Sequence, residues 1–154
     1  MTKIFFEQQV FLLADTMHRV SATLLRRPVD RQDAMQNCLL KAWEKRNTLR
    51  EESLFRPWLM RILVNECHTL LRKNRRLILT ETMPETAVSP TDSSAVDMVM
   101  QLPEKIRLVV ALYYMENAQV SEIAQILHIP SGTVKSRLSR GRQLLRGILE
   151  EEEA

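Results

Sequence analysis

Gln119 to Arg146 reads QVSEIAQILHIPSGTVKSRLSRGRQLLR, two helical patterns with a break between them. Val120, Ile123, Ala124, Ile126 and Leu127 recur at helical spacing and define one short amphipathic helix. His128-Ile129-Pro130 interrupts it, since proline forbids continuation of the preceding helix. Ser131 is set to N-cap a second helix, with Gly132 and Thr133 in its first turn. There Val134, Leu138, Leu144 and Leu145 give a core-facing stripe, and Lys135, Arg137, Arg140, Arg142 and Arg146 occupy the remainder. A merely solvated helix usually mixes signs for i,i+4 support. This one carries only positive charge between Ser131 and Gly147, interspersed with Ser136 and Ser139. Small polar residues let a helix sit close to base edges while arginines reach phosphates or guanines. The stretch is a helix-turn-helix whose second helix has the size and charge to enter a DNA major groove.

Working outward, 154 residues suit one ordinary domain or two small ones. Glycine is scarce and β-branched residues show no sustained alternation, which predicts an all-α class. Cys38 and Cys67 lie far apart without CxxC spacing or a nearby histidine pair, so they read as buried free thiols and not as metal ligands. His18, His68 and His128 are isolated, and there is no Gly-rich phosphate loop or nucleophile–base pair, so neither a cofactor nor an enzymatic reaction is expected. With no signal peptide and no apolar run of transmembrane length, the expected location is the cytoplasm.

The net charge of +3 conceals blocks. Residues 1–76 sum to +7, 77–102 to −4, 103–149 to +4, and Glu150–Glu153 to −4. Two basic blocks around an acidic spacer suggest two polyanion-binding modules on a tether. The expected organisation is therefore a first domain over 1–76, a linker over 77–97, a second domain over 98–149 and an acidic tail over 150–154. That tail, a run of like charges, is expected to be frayed and solvated.

In the first block, Ile4 to Leu25 patterns as one or two helices buried through Phe5, Phe6, Val10, Leu12, Leu13, Met17, Val20, Leu24 and Leu25. Arg26-Arg27-Pro28-Val29-Asp30 breaks the pattern, and a second helix opens at Asp30 or Arg31. Its apolar steps are Ala34, Met35, Cys38, Leu39, Ala42 and Trp43; Asp33, Gln36, Asn37, Leu40 and Lys41 face away. Leu40 on that polar side is either an ordinary exposed leucine or one that a partner covers. Lys45 to Ser53, KRNTLREES, lacks periodicity and reads as a loop. Ser53 or Phe55 then opens a third helix with Pro57 in its first turn and Trp58, Leu59, Ile62, Leu63, Cys67, Leu70 and Leu71 as core. Arg56, Arg61, Asn65, Arg72, Lys73, Arg75 and Arg76 make its other side basic, more charge than a favourable helix C-terminus accounts for. Leu102-Pro103-Glu104 starts a further helix, with Ile106, Val109, Val110, Leu112 and Tyr113 packing under the helix-turn-helix and Met115–Ala118 as the turn.

Three blocks in one order carry a resemblance. QDAMQNCLLKAW resembles region 2.2 of the extracytoplasmic-function sigma factors of bacteria, and SLFRPWLMRILVNECHTLLRKNRR resembles their regions 2.3 and 2.4. LPEKIRLVVALYYMENAQVSEIAQILHIPSGTVKSRLSRGRQLLR is similar to their region 4. The match runs from about Met17 to Arg146. It implies a dissociable specificity subunit that binds bacterial RNA polymerase core and promoter DNA. Core docking would fall on Asp33, Gln36, Asn37, Leu40 and Trp43, with Asn37 standing where the family usually has an acidic residue. Capture of the minus-ten element would fall on the Lys45–Ser53 loop, on Asn65 at the family's matching asparagine, and on Arg56, Arg61, Arg72, Lys73, Arg75 and Arg76. The minus-35 element would be read by Ser131, Thr133, Lys135, Ser136, Arg137, Ser139, Arg140, Arg142 and Arg146. Members of the family are commonly held inactive by an anti-sigma factor, which makes such a protein a further expected partner. The competing reading is a helix-turn-helix regulator that binds duplex DNA without polymerase core.

Overall fold

The computed structural model describes residues 1–80 and 94–153, and among them there are helices and turns but no strand. Two compact units divide the chain, Met1–Val88 and Ser89–Ala154.

The first unit is built on three helices, α1 (Lys3–Leu24), α2 (Pro28–Glu44) and α3 (Phe55–Thr80). Thr2 caps α1, its hydroxyl accepting from the Phe5 N–H at 3.1 Å. Phe6, Met17, Val20, Leu24 and Leu25 are buried as expected, but Leu12 is 70% exposed, alongside Ile4 and Phe11. The spacing explains the miss. Phe6, Leu13, Met17, Val20 and Leu24 share one stripe, and Leu12 lies roughly a third of a turn from it at 3.6 residues per turn.

α2 opens at Pro28, ahead of the expected Asp30 or Arg31, because a proline in the first turn loses no helical hydrogen bond. Asp30 is buried within that first turn. Its carboxylate accepts from Arg27 Nε at 2.9 Å and Nη2 at 3.2 Å, and from Asn74 Nδ2 of α3 at 3.1 Å. The hydrogen bonds and charge of Asp30 raise the Arg27 guanidinium above its ordinary range. This knot fastens the basic end of α3 to the start of α2. Further along, Ala34, Cys38 and Ala42 are fully buried, small side chains that let α3 approach closely.

On α3, Leu59, Leu63 and Cys67 are core as expected, whereas Trp58 is only half-buried. Met60 and Val64 are also buried, because α3 packs against both α1 and α2 and so hides a wider face than one stripe. Glu66 is buried too and pairs with Lys41 of α2. Both thiols are free and buried, and burial pushes each up to about 12, so they are neutral and inert at ordinary pH.

The second unit holds α4 (Ser94–Met100), α5 (Glu104–Val110), a π-helical turn over Ala111–Met115, α6 (Val120–Leu127) and α7 (Ser131–Glu153). Pro103 is the N-cap of α5, and Arg107 closes the preceding turn by donating from Nε and Nη2 to the Leu102 carbonyl at 3.2 and 3.0 Å. Leu102, Leu108, Val109, Val110, Leu112, Ile123, Ile126, Val134 and Leu138 form the core. Gly141 of α7 is buried against α5; a Cβ there would meet Val110 Cγ2 at 2.5 Å.

Helices enter the expected linker from both ends, α3 running to Thr80 and α4 starting at Ser94, ahead of the expected Asp97. The rest of it, 81–93, lies outside the described residues. Glu150–Glu153 are exposed, as expected of a solvated tail, yet α7 continues through them unfrayed. Water screens the exposed charges, and glutamate has good intrinsic helix propensity.

Candidate DNA and polymerase interfaces

α6 ends because His128 takes a left-handed conformation, φ 56°, before proline is reached. The Pro130 carbonyl then accepts from the N–H groups of Thr133 and Val134 at 3.0 and 3.2 Å, which makes Ser131 the first residue of α7 and not its cap. With Val134, Leu138 and Gly141 inward, Ser131, Lys135, Ser136, Ser139, Arg140, Arg142 and Arg146 are exposed. Thr133 and Arg137 are only half-exposed, turned toward the flank of the bundle. The Ser136 hydroxyl donates to the Thr133 carbonyl at 3.1 Å, and Arg140 Nη1 reaches Gln143 Oε1 at 3.3 Å. The helix therefore presents a ridge of small hydroxyls and cations unbroken by acid, chemistry suited to a groove lined by phosphates. Arg142 is tied back, its Nε donating to Tyr114 Oη at 2.6 Å. Neither periodicity nor charge in the sequence signalled that pairing, which joins residues 28 apart.

A second basic ridge runs along α3. Arg61, Asn65, Arg72 and Arg76 follow one another at helical steps and are all exposed; Lys73 and Arg75 flank them. Arg56 does not join this ridge: it sits half-buried in the first turn, nearly opposite the others on the helix. The loop ahead of α3 contains 3-10 turns at Arg46–Thr48 and Glu52–Leu54. Aromatic side chains underpin it. Phe55 lies 5.8 Å from both Phe5 and Phe6 and 5.5 Å from Trp58, ring centre to ring centre. Trp58 Nε1 donates to Thr48 Oγ1 at 3.3 Å, and the Arg46 guanidinium lies 4.1 Å over the Trp43 ring. Periodicity in the sequence marked this segment only as a loop; its support comes from Trp43 and Trp58 on either side of it and, through Phe55, from Phe5 and Phe6 of α1.

The third surface is the outer side of α2. Asp33, Gln36, Asn37 and Leu40 are all exposed on the side away from Ala34, Cys38 and Ala42, with Leu40 64% exposed at the middle of that face. Trp43 is half-buried at its edge, 5.2 Å from the Phe6 ring. No group of three or more metal-ligating side chains occurs among the described residues.

Comparison with known proteins places both units in one family. Residues 12–77 match the family model of sigma-70 region 2, and residues 94–145 match that of sigma-70 region 4. The chain is 32% identical over 152 residues to the RNA polymerase sigma-E factor of Streptomyces coelicolor, covering 92% of this chain and 84% of that one. It is 26% identical over 162 residues to the ECF RNA polymerase sigma factor SigW of Bacillus subtilis, covering 92% and 87%. Among solved structures it resembles the sigma factor RpoE of Bartonella quintana, crystallised with the anti-sigma factor NepR. The TM-score there is 0.80 at 25% identity, over 94% of this chain and 96% of that one. A regulator that acts without polymerase is not favoured by relatives of this kind. The chain belongs to the extracytoplasmic-function family of RNA polymerase sigma factors, the proteins that direct transcription initiation.

Proposed function

We propose that the two units divide the promoter between them. In this reading residues 1–76 bind polymerase core and the minus-ten element, 98–149 bind the minus-35 element, 77–97 tether the two, and 150–154 are a solvated tail. Core polymerase docks on Asp33, Gln36, Asn37 and Leu40, with Trp43 at the margin. Asn65 meets the edge of an unpaired minus-ten base while Arg61, Arg72, Lys73, Arg75 and Arg76 follow the phosphates. Unstacking that base costs about a few kcal/mol, offset by hydrogen bonds and stacking in a pocket. Lys135, Ser136, Ser139 and Arg140 face the minus-35 bases, with Ser131 and Arg146 toward the backbone. Arg56, Thr133 and Arg137 have a smaller part, since each is half-buried.

The observation that carries this reading is the pair of exposed basic ridges, one on α3 beside a loop propped by aromatic rings and one on α7. A duplex-only regulator has use for the second ridge but not for the first. Working with polymerase sets the protein in the bacterial cytoplasm, as a specificity subunit with no catalysis of its own. By analogy with RpoE, whose structure was solved with NepR, an anti-sigma factor is its regulator. Transcription in vitro across a promoter library tests the whole scheme. Promoter-specific transcripts are expected only when this chain and core polymerase are both present; sequence-specific duplex binding by the chain alone, without any transcription, would overturn it.

A further inference from the structure

Tyr114 is an exposed aromatic residue outside the recognition helix, and core packing does not account for it. It follows Tyr113 in the π-helical turn Ala111–Met115, which the Glu116 N–H closes on the Ala111 carbonyl at 3.2 Å. Such turns occur often at functional positions. Tyr113 is half-buried and Tyr114 is 51% exposed, the rings meeting edge to face at 4.9 Å. Arg142 reaches them from α7, its guanidinium carbon 5.9 Å from one ring centre and 5.8 Å from the other.

The direction of the Arg142–Tyr114 hydrogen bond matters. Arginine only donates, so the phenol oxygen is the acceptor and its own proton points elsewhere. Among the described residues no acceptor for that proton is found. A short bond from a cation polarises the phenol and makes it a better donor. The same bond holds the guanidinium firmly in its charged form, raised above its usual range, with further N–H groups left over. Arg142 also stands seven residues beyond Lys135 and four before Arg146, on the same side of α7 and flanking Ser139. That flank is where the backbone of a groove occupied by α7 has to pass. One neutral O–H and one cation converging there suit the two non-bridging oxygens of a phosphodiester.

We propose that Tyr114 and Arg142 form a phosphate site of the second unit, in which the Tyr114 hydroxyl accepts from Arg142 and donates to one backbone phosphate beside the groove that α7 reads. This rests on the reading of α7 as the duplex-binding helix. The pairing also makes Arg142 a phosphate anchor and takes it away from base recognition.

The test uses holoenzyme assembled from the full chain and core polymerase, on a promoter duplex chosen in the transcription screen. Tyr114→Phe keeps the ring and removes the donor. It should weaken closed-complex formation about three- to tenfold, the range of one net hydrogen bond. Because no charge is removed, the salt slope should stay as in the parent, whereas Arg142→Ala should reduce its steepness by about 0.9. In the Arg142→Ala background, Tyr114→Phe should cost little more. A methylphosphonate scan of the minus-35 duplex separates contact from packing. At one position the neutral linkage should weaken the parent more than Tyr114→Phe, which keeps only the Arg142 contact there. Equal losses for the two proteins at every phosphate would overturn the proposal even if Tyr114→Phe binds weakly. Parent-like binding by Tyr114→Phe, with Lys135→Ala impaired, would overturn it and leave the α7 reading intact. If Lys135→Ala, Arg140→Ala and Tyr114→Phe all bind like the parent, α7 is not the duplex reader and both fall.

Discussion

α7 carries glycines at Gly141 and Gly147 whose replacement by alanine should act in opposite directions. Both lie inside a helix, where glycine is about 0.8–1.0 kcal/mol worse than alanine. At Gly147 nothing lies within 4 Å of an added Cβ, so Gly147→Ala should keep most of that gain. At Gly141 the new Cβ would stand 2.5 Å from Val110 Cγ2 and 3.2 Å from Ile106 Cγ2. Val110 is buried and branched at Cβ, so it has no easy alternative rotamer. Relieving the clash means moving α5 from α7, an overpacking cost of about 1–3 kcal/mol. Gly141→Ala should therefore come out roughly 0–2 kcal/mol less stable than the parent, and about 1–3 kcal/mol less stable than Gly147→Ala. For a unit of this size each kcal/mol moves the midpoint by about 4–8 °C. Helical ellipticity on heating measures it. Tryptophan fluorescence serves as a control, because both tryptophans, Trp43 and Trp58, belong to the first unit. If Gly141→Ala melts at or above Gly147→Ala, the close contact of α7 with α5 is wrong.

On α2, Leu40→Asp should abolish most capture of core polymerase in a pull-down while leaving the melting midpoint within a degree or two, since Leu40 already faces water in the free protein; undiminished capture would remove this face from the interface. Asn65→Ala should impair promoter opening more than closed-complex formation, and a pre-melted bubble should rescue little of the loss, because the missing contact is to the unpaired base. Permanganate footprinting and transcription on duplex and bubble templates measure both, and parent-like opening on the duplex would move the pocket elsewhere. Cys38 and Cys67 should resist iodoacetamide at neutral pH until the first unit unfolds. Their thiols stay protonated in the fold up to about 12 against an ordinary 9.0, so unfolding releases protons above pH 9 and stability should fall as pH rises from there toward 12. A flat urea midpoint across that window, or rapid alkylation of the native protein, contradicts the burial of these groups.

Local rules were enough for much of this molecule. The helical class, the helix-turn-helix, the two basic blocks and the outward position of Leu40 follow from 3.6-residue periodicity, from proline and from the sign of charge along the chain. Those quantities depend only on neighbours in sequence. The ordered blocks QDAMQNCLLKAW, SLFRPWLMRILVNECHTLLRKNRR and LPEKIRLVV onward also sufficed to place the chain in its family. What only the tertiary structure decided involves a partner from elsewhere. Leu12 was expected inside and is outside, because its neighbour Leu13 took the stripe. Met60 and Val64 are buried because α3 is covered from two sides, a fact about α1 and α2. Asp30 binds Asn74, Lys41 pairs with buried Glu66, and Arg142 turns back to Tyr114. A charge read along a sequence has a sign but no neighbour. Whether it meets solvent, a counter-ion or a phenol is settled when the helices pack.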